Sequence, residues 1–182
     1  MADVPPPHPA SRIPASSLLP PPDLFNRSIP APATVIFGSA AWGICMAIAA
    51  VIGLYWRDGL IIHSRLAVIS LFFYGPAVGF APGLMLAEWL CGRAGRITRF
   101  VVGTIILTLA THTATATIFA LQYRMFYAHW HAEFPSITWC FQFAFTSASA
   151  LYQFTVDSMY VYFPIAPLLF LALGFWFARR AH

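Results

Sequence analysis

Lysine is missing from this sequence altogether, and acid is scarce: ten basic side chains, all arginine, face six acidic ones in 182 residues. A glycine loop that cradles phosphate ends in lysine, so that nucleotide site is excluded. Charged residues make up 9% of the chain, where a soluble domain carries about 25%. A deficit of this size argues against a soluble domain and for helices in lipid, where a central charge costs about 2.5–3.5 kcal/mol. Cysteine is sparse too. Cys45, Cys91 and Cys140 form no C-x-x-C pair and belong to different depths, which leaves no basis for a thiol redox centre or a cysteine zinc site. Neither G-x-S-x-G nor H-E-x-x-H occurs, so hydrolase and zincin chemistry have no motif here.

What the chain has in place of charge is apolar length. It is 59% hydrophobic with a mean hydropathy of +0.71. Crossing a hydrocarbon core takes about 20 helical residues, and in lipid the backbone must satisfy its own hydrogen bonds, so such runs should be helices. The blocks read as crossings at residues 34–56, 66–88 and 100–123. The expected fold class is an all-α integral membrane protein, a bundle of four transmembrane helices plus one interfacial or re-entrant helix near the outer face.

The fourth crossing needs argument. Trp139–Ala178 is about 40 residues broken by a single charge, Asp157, and is too long for one span. Four crossings with cytoplasmic termini put seven arginines inside (Arg12, Arg27, Arg93, Arg96, Arg99, Arg179, Arg180) and three outside (Arg57, Arg65, Arg124). Splitting the last block into two crossings would even the count and lose the positive-inside bias. The expectation is therefore an interfacial or re-entrant helix over 136–156, a joint at Asp157-Ser158, and a fourth crossing over 159–178. Tyr55, Trp56, Tyr123, Tyr127, Trp130 and Trp139 would mark the outer boundary, Trp89 and Trp176 the inner one.

Residues 1–33 stand apart. Ten of the fifteen prolines fall within the first 32 residues, which disfavours helix and sheet and predicts a disordered or extended cytoplasmic tail. The tail lacks the basic start and apolar core of a signal peptide, so residues 34–56 are expected to be an uncleaved first helix. The expected location is a bacterial-type inner membrane.

Three constellations are candidates for function. Gly75, Gly79 and Gly83 recur every fourth residue and so share one helix face, suited to close packing within the bundle or against a partner helix. Pro76 and Pro82 beside them predict a bend or local unwinding. In the third block Thr104, Thr108, Thr111 and Thr115 form a polar stripe, and His112 lies near mid-span, one turn from Thr108. An ionisable group at that depth is a functional candidate: a ligand for a haem or chlorin metal, a proton relay, or a neutral imidazole bonded to a neighbour. A b-type haem within one chain would need a second mid-membrane histidine, and none is present. At the outer end, His129, His131 and Glu133 are a candidate metal group, with Asp157 and His63 at the same face.

The function expected from these features is a non-catalytic accessory or assembly subunit of a larger membrane complex. The alternatives are an oligomeric transporter or channel component using the Thr/His helix, and a membrane enzyme or carrier of a metal or haem. No catalytic residue and no resident cofactor is expected. The expected partners are the lipid bilayer and other membrane subunits or further copies of the chain, with no nucleic acid, since the arginines sit at span ends.

Overall fold

The computed structural model describes residues 30–57, 65–92, 94–127 and 130–180. Among them the structure is all helical: α1 (Pro32–Trp56), α2 (Arg65–Cys91), α3 (Arg96–Tyr127), α4 (Ile137–Tyr162) and α5 (Ile165–Arg179). Most of the proline-rich tail, His63 and His129 lie outside the described residues. α1, α2 and α3 are each long and apolar enough to cross a membrane. α4 and α5 qualify as a fourth only as one broken span, bent by 86° at their joint.

Local chemistry sets the helix ends. α1 starts with proline in its first turn, where an amide has no helical partner to lose. α2 stops at Gly92, whose φ of 45° is a left-handed terminus that lets its amide bond Glu88 O at 3.0 Å. Ser136 caps α4, its hydroxyl accepting from the Trp139 amide at 3.1 Å.

Two expectations change. α2 runs unbroken through Pro76 and Pro82, so the local unwinding expected there does not occur. Its packing between α1 and α3 holds the backbone helical where the two amides are missing. The joint in the last block is also displaced. Asp157 and Ser158 lie inside α4, and the break falls at Phe163-Pro164. Neither Asp157 nor Ser158 obstructs a helix; the Ser158 hydroxyl simply bonds back to Thr155 O at 3.2 Å. Pro164 does obstruct one: it has no amide, and it drives Phe163 to extended backbone with ψ 135°. The 136–156 segment expected as a separate helix is thus the front of a longer one, and the helix expected over 159–178 begins at Ile165.

Small residues set the approach of one helix to the next. A Cβ placed on Gly79 would come within 2.7 Å of Ala110 O and 3.0 Å of the Ala114 methyl. Gly83 meets Ala110 in the same way, and Gly75 lies against Thr115. The glycine face of α2 is therefore spent on α3, inside the bundle. Gly43 brings α1 against the Phe73 carbonyl of α2, and Gly53 brings it against the Val161 carbonyl of α4. On the remaining side, Gly103 of α3 receives the Phe177 ring of α5.

α4 and α5 together follow α3 in the antiparallel sense along its length. Arg124 lies 4.1 Å from the centre of the Phe143 ring, Phe119 pairs with Phe154 at 5.9 Å, and His112 with Tyr162 at 5.0 Å. Past the elbow, Phe170 lies 5.6 Å from His112, and Phe177 sits under Arg99 at 4.4 Å. The core runs through Trp42, Met46, Phe72, Phe80, Leu84 and Leu107.

An ion pair closes the α2–α3 turn. Arg99 Nη2 meets Glu88 Oε2 at 2.9 Å, with the arginine 3% exposed. Nη1 reaches Gly92 O at 3.5 Å.

Two stability outcomes follow, both measurable by thermal unfolding in detergent. Gly79→Leu forces α2 from α3 and should cost about 1–3 kcal/mol. Glu88→Ala strands the Arg99 charge and should cost about 3 kcal/mol, whereas Glu88→Ala with Arg99→Met should recover most of that loss. A double variant as unstable as the single one would show that the charge is not what matters.

Candidate functional site

Where α4 turns into α5, an open cleft of about 790 Å³ lies between the elbow and α3. Thr108 and His112 of α3 form its floor. Ser158 and Tyr162 come from the end of α4, Phe170 from α5, and Arg57 stands at the end of α1. The elbow is the reason the cleft exists. Pro164 and Pro167 have no amides to offer the carbonyls of Tyr160 and Phe163, so the helix cannot continue in line and close over α3.

His112 is held firmly. Its Nδ1 is 3.1 Å from Thr108 O. A carbonyl oxygen only accepts, so Nδ1–H donates, and in the neutral ring Nε2 carries the lone pair. Nε2 makes no hydrogen bond with the described residues and is not among the buried unpartnered atoms, so it opens to the cleft that His112 lines. Tyr162 and Phe170 flank the ring.

Behind the floor, the other threonines of the stripe are committed to packing. Thr111 is 1% exposed and accepts from Trp42 Nε1 at 3.0 Å. Thr115 bonds back to Thr111 O and Thr104 to Phe100 O, each at 2.7 Å. Thr104 also packs on Gly174 of α5. Thr108 is the member of the stripe that faces the cleft. The Tyr162 hydroxyl, buried beside Thr115, makes no hydrogen bond of good geometry with the described residues.

The outer histidine group is arranged differently from a helix face. α3 ends at Tyr127, and residues 131–136 are not helical. The Thr146 hydroxyl donates to Gln142 O at 2.6 Å, so its oxygen accepts from His131 Nε2 at 3.2 Å, and the Ala132 amide donates to Gln142 Oε1 at 2.7 Å, which ties this segment to α4. Glu133 is exposed. Among the described residues no three His, Cys, Asp or Glu side chains come together as a metal site.

Sequence reasoning found Thr108 and His112 and missed Trp42, Arg57, Ser158, Tyr162 and Phe170. The sequence signal nearest to them is the proline pair Pro164 and Pro167, which cannot continue a regular helix.

No protein-family model matches the chain, and neither a curated protein nor a solved structure matches it.

Thr111→Val keeps the shape but leaves the buried Trp42 N–H without an acceptor. It should lower stability by about 1–3 kcal/mol in a denaturation titration. No loss would mean that Trp42 holds its place by ring packing alone.

Proposed function

We propose that this chain is a small multi-pass protein of a bacterial-type inner membrane, working as a non-catalytic accessory or assembly subunit of a larger membrane complex. In this reading α1, α2 and α3 are three crossings, and α4 with α5 is a broken fourth. The termini are cytoplasmic, in keeping with the seven-to-three division of arginines.

One observation carries the subunit reading. Gln142, Thr146, Ser149, Gln153 and Asp157 recur at intervals of four, three, four and four residues along α4 and so form one polar stripe. Its outer members are used: Gln142 and Thr146 hold the segment around His131. Its inner members, Ser149, Gln153 and Asp157, are exposed and make no hydrogen bond with the described residues. A helix in lipid does not present an amide and a carboxylate to hydrocarbon without cost; polar groups at such depth face other helices or water. The large apolar side chains of α4, among them Phe141, Phe145 and Tyr152, are also exposed. A neighbouring subunit would bond the polar stripe and cover the aromatic one.

The test is native mass after extraction in mild detergent, with co-purifying chains identified. The expected result is a defined assembly that Gln153→Leu combined with Asp157→Leu dissociates, leaving the chain folded by thermal unfolding. A wild-type protein that runs alone, or an assembly indifferent to both substitutions, would rule this interface out. If the wild type runs alone and Gln153 and Asp157 are hydrated, the transporter reading gains.

A further inference from the structure

We propose that the elbow cleft binds a membrane-soluble phenol of the hydroquinone type: a flat ring bearing a hydroxyl, carried on an apolar tail. Neither Gln153 nor Asp157 of the α4 interface lines this cleft; Asp157 lines the adjoining hollow, which shares Arg57, Ser158 and Tyr160 with it.

The selecting group is His112 Nε2. Because Nδ1–H is already donated to Thr108 O, the nitrogen left in the cleft accepts and does not donate. It therefore calls for a ligand hydroxyl. A phenolic O–H is a stronger donor than an aliphatic one, so a neutral imidazole favours a phenol over a simple lipid alcohol. Thr108 adds the complement. Its hydroxyl lies in the cleft and makes no hydrogen bond with the described residues, so it can donate to the same ligand oxygen. A ligand hydroxyl can then donate to Nε2 and accept from Thr108.

The walls fit the rest of such a molecule. Tyr162 and Phe170 stand beside the His112 ring at 5.0 and 5.6 Å and offer aromatic surface to a second flat ring. Ala166, Pro167 and Met159 supply apolar contact for a tail. The volume of about 790 Å³ lies in the range of small-molecule sites and accommodates a substituted ring with a short length of chain. The cleft is open on one side, so a lipid-borne ligand can enter laterally.

This geometry discriminates by oxidation state. The quinone of the same ring has a carbonyl where the hydroquinone has a hydroxyl. It can accept from Thr108 but has nothing to give Nε2, which would be left facing the ligand unpaired. The hydroquinone should therefore bind about tenfold more tightly than its quinone.

The experiment uses the full chain in detergent with a short-tailed benzohydroquinone and the matching benzoquinone. Affinities are measured by calorimetry under argon, the hydroquinone kept reduced. The expected result is saturable hydroquinone binding with about a tenfold preference, a preference that His112→Leu abolishes. Thr108→Val should weaken both forms while keeping the preference. Should His112→Leu fail to fold, nitrogen-15 histidine spectra of the wild type decide: the Nε2 resonance of His112 should move with hydroquinone and stay with quinone. Equal affinity for the two forms, no saturable binding of hydroquinone, an unmoved Nε2 signal, or a preference that survives His112→Leu would each overturn the assignment.

Discussion

Everything else in this bundle is placed by the close approach of α2 to α3. In lipid, burying apolar side chains does not pull helices together, because the tails of the lipids are equally apolar. Contact must come from packing, and packing is closest where a helix has no side chain to keep its neighbour away. Gly75, Gly79 and Gly83 give α2 such a face, and Ala110, Ala114 and Thr115 of α3 lie against it. At the turn end the Glu88–Arg99 pair closes the same hairpin, and the Arg99 guanidinium also rests on Phe177 of α5. With α2 fixed, α3 has one face committed. The face it has left carries Thr104, Thr108 and His112 toward α5.

The second determinant is a deficiency rather than a contact. A helix passing Phe163 unbroken would lie along α3 and cover His112. Pro164 prevents that by lacking an amide, and the 86° bend that results holds the end of α4 and the start of α5 apart. The same bend releases the carbonyls of Tyr160 and Phe163 from the helical ladder. Non-helical backbone at membrane depth persists only where protein, ligand or water meets it.

Much of this was legible in the residues, and the parts that were not share a cause. Three long charge-poor runs translated directly into α1, α2 and α3, because span length and desolvation cost act on composition alone. The glycine spacing announced a packing face, but spacing cannot say which helix will use it; only the three-dimensional pairing assigns it to α3. Composition places the joint of the last block at Asp157, where hydrophobicity dips. The chain breaks where hydrogen bonding fails, at Pro164, and a single polar residue in a helix does not compete with that. His112 and Thr108 were visible as a pair on one turn. The side chains that surround them come from α1, α4 and α5, and nothing local in those segments records that they converge.

The two polar features left over point in different directions. Ser149, Gln153 and Asp157 form an extended, exposed row along α4, spaced like a helix, with Asp157 at the edge of a shallow hollow that Arg57 also lines. A row of that shape is matched by another helix, which can offer partners at the same repeat. Thr108 and His112 sit close together at the bottom of a concave surface walled by rings. A helix is about 10 Å across with its side chains, and it would meet the rim of that cleft before its own polar groups reached Nε2. Something thin and flat reaches it. The extended row therefore suits a protein neighbour and the cleft a small ligand, and the chain has room for both because its last helix is bent.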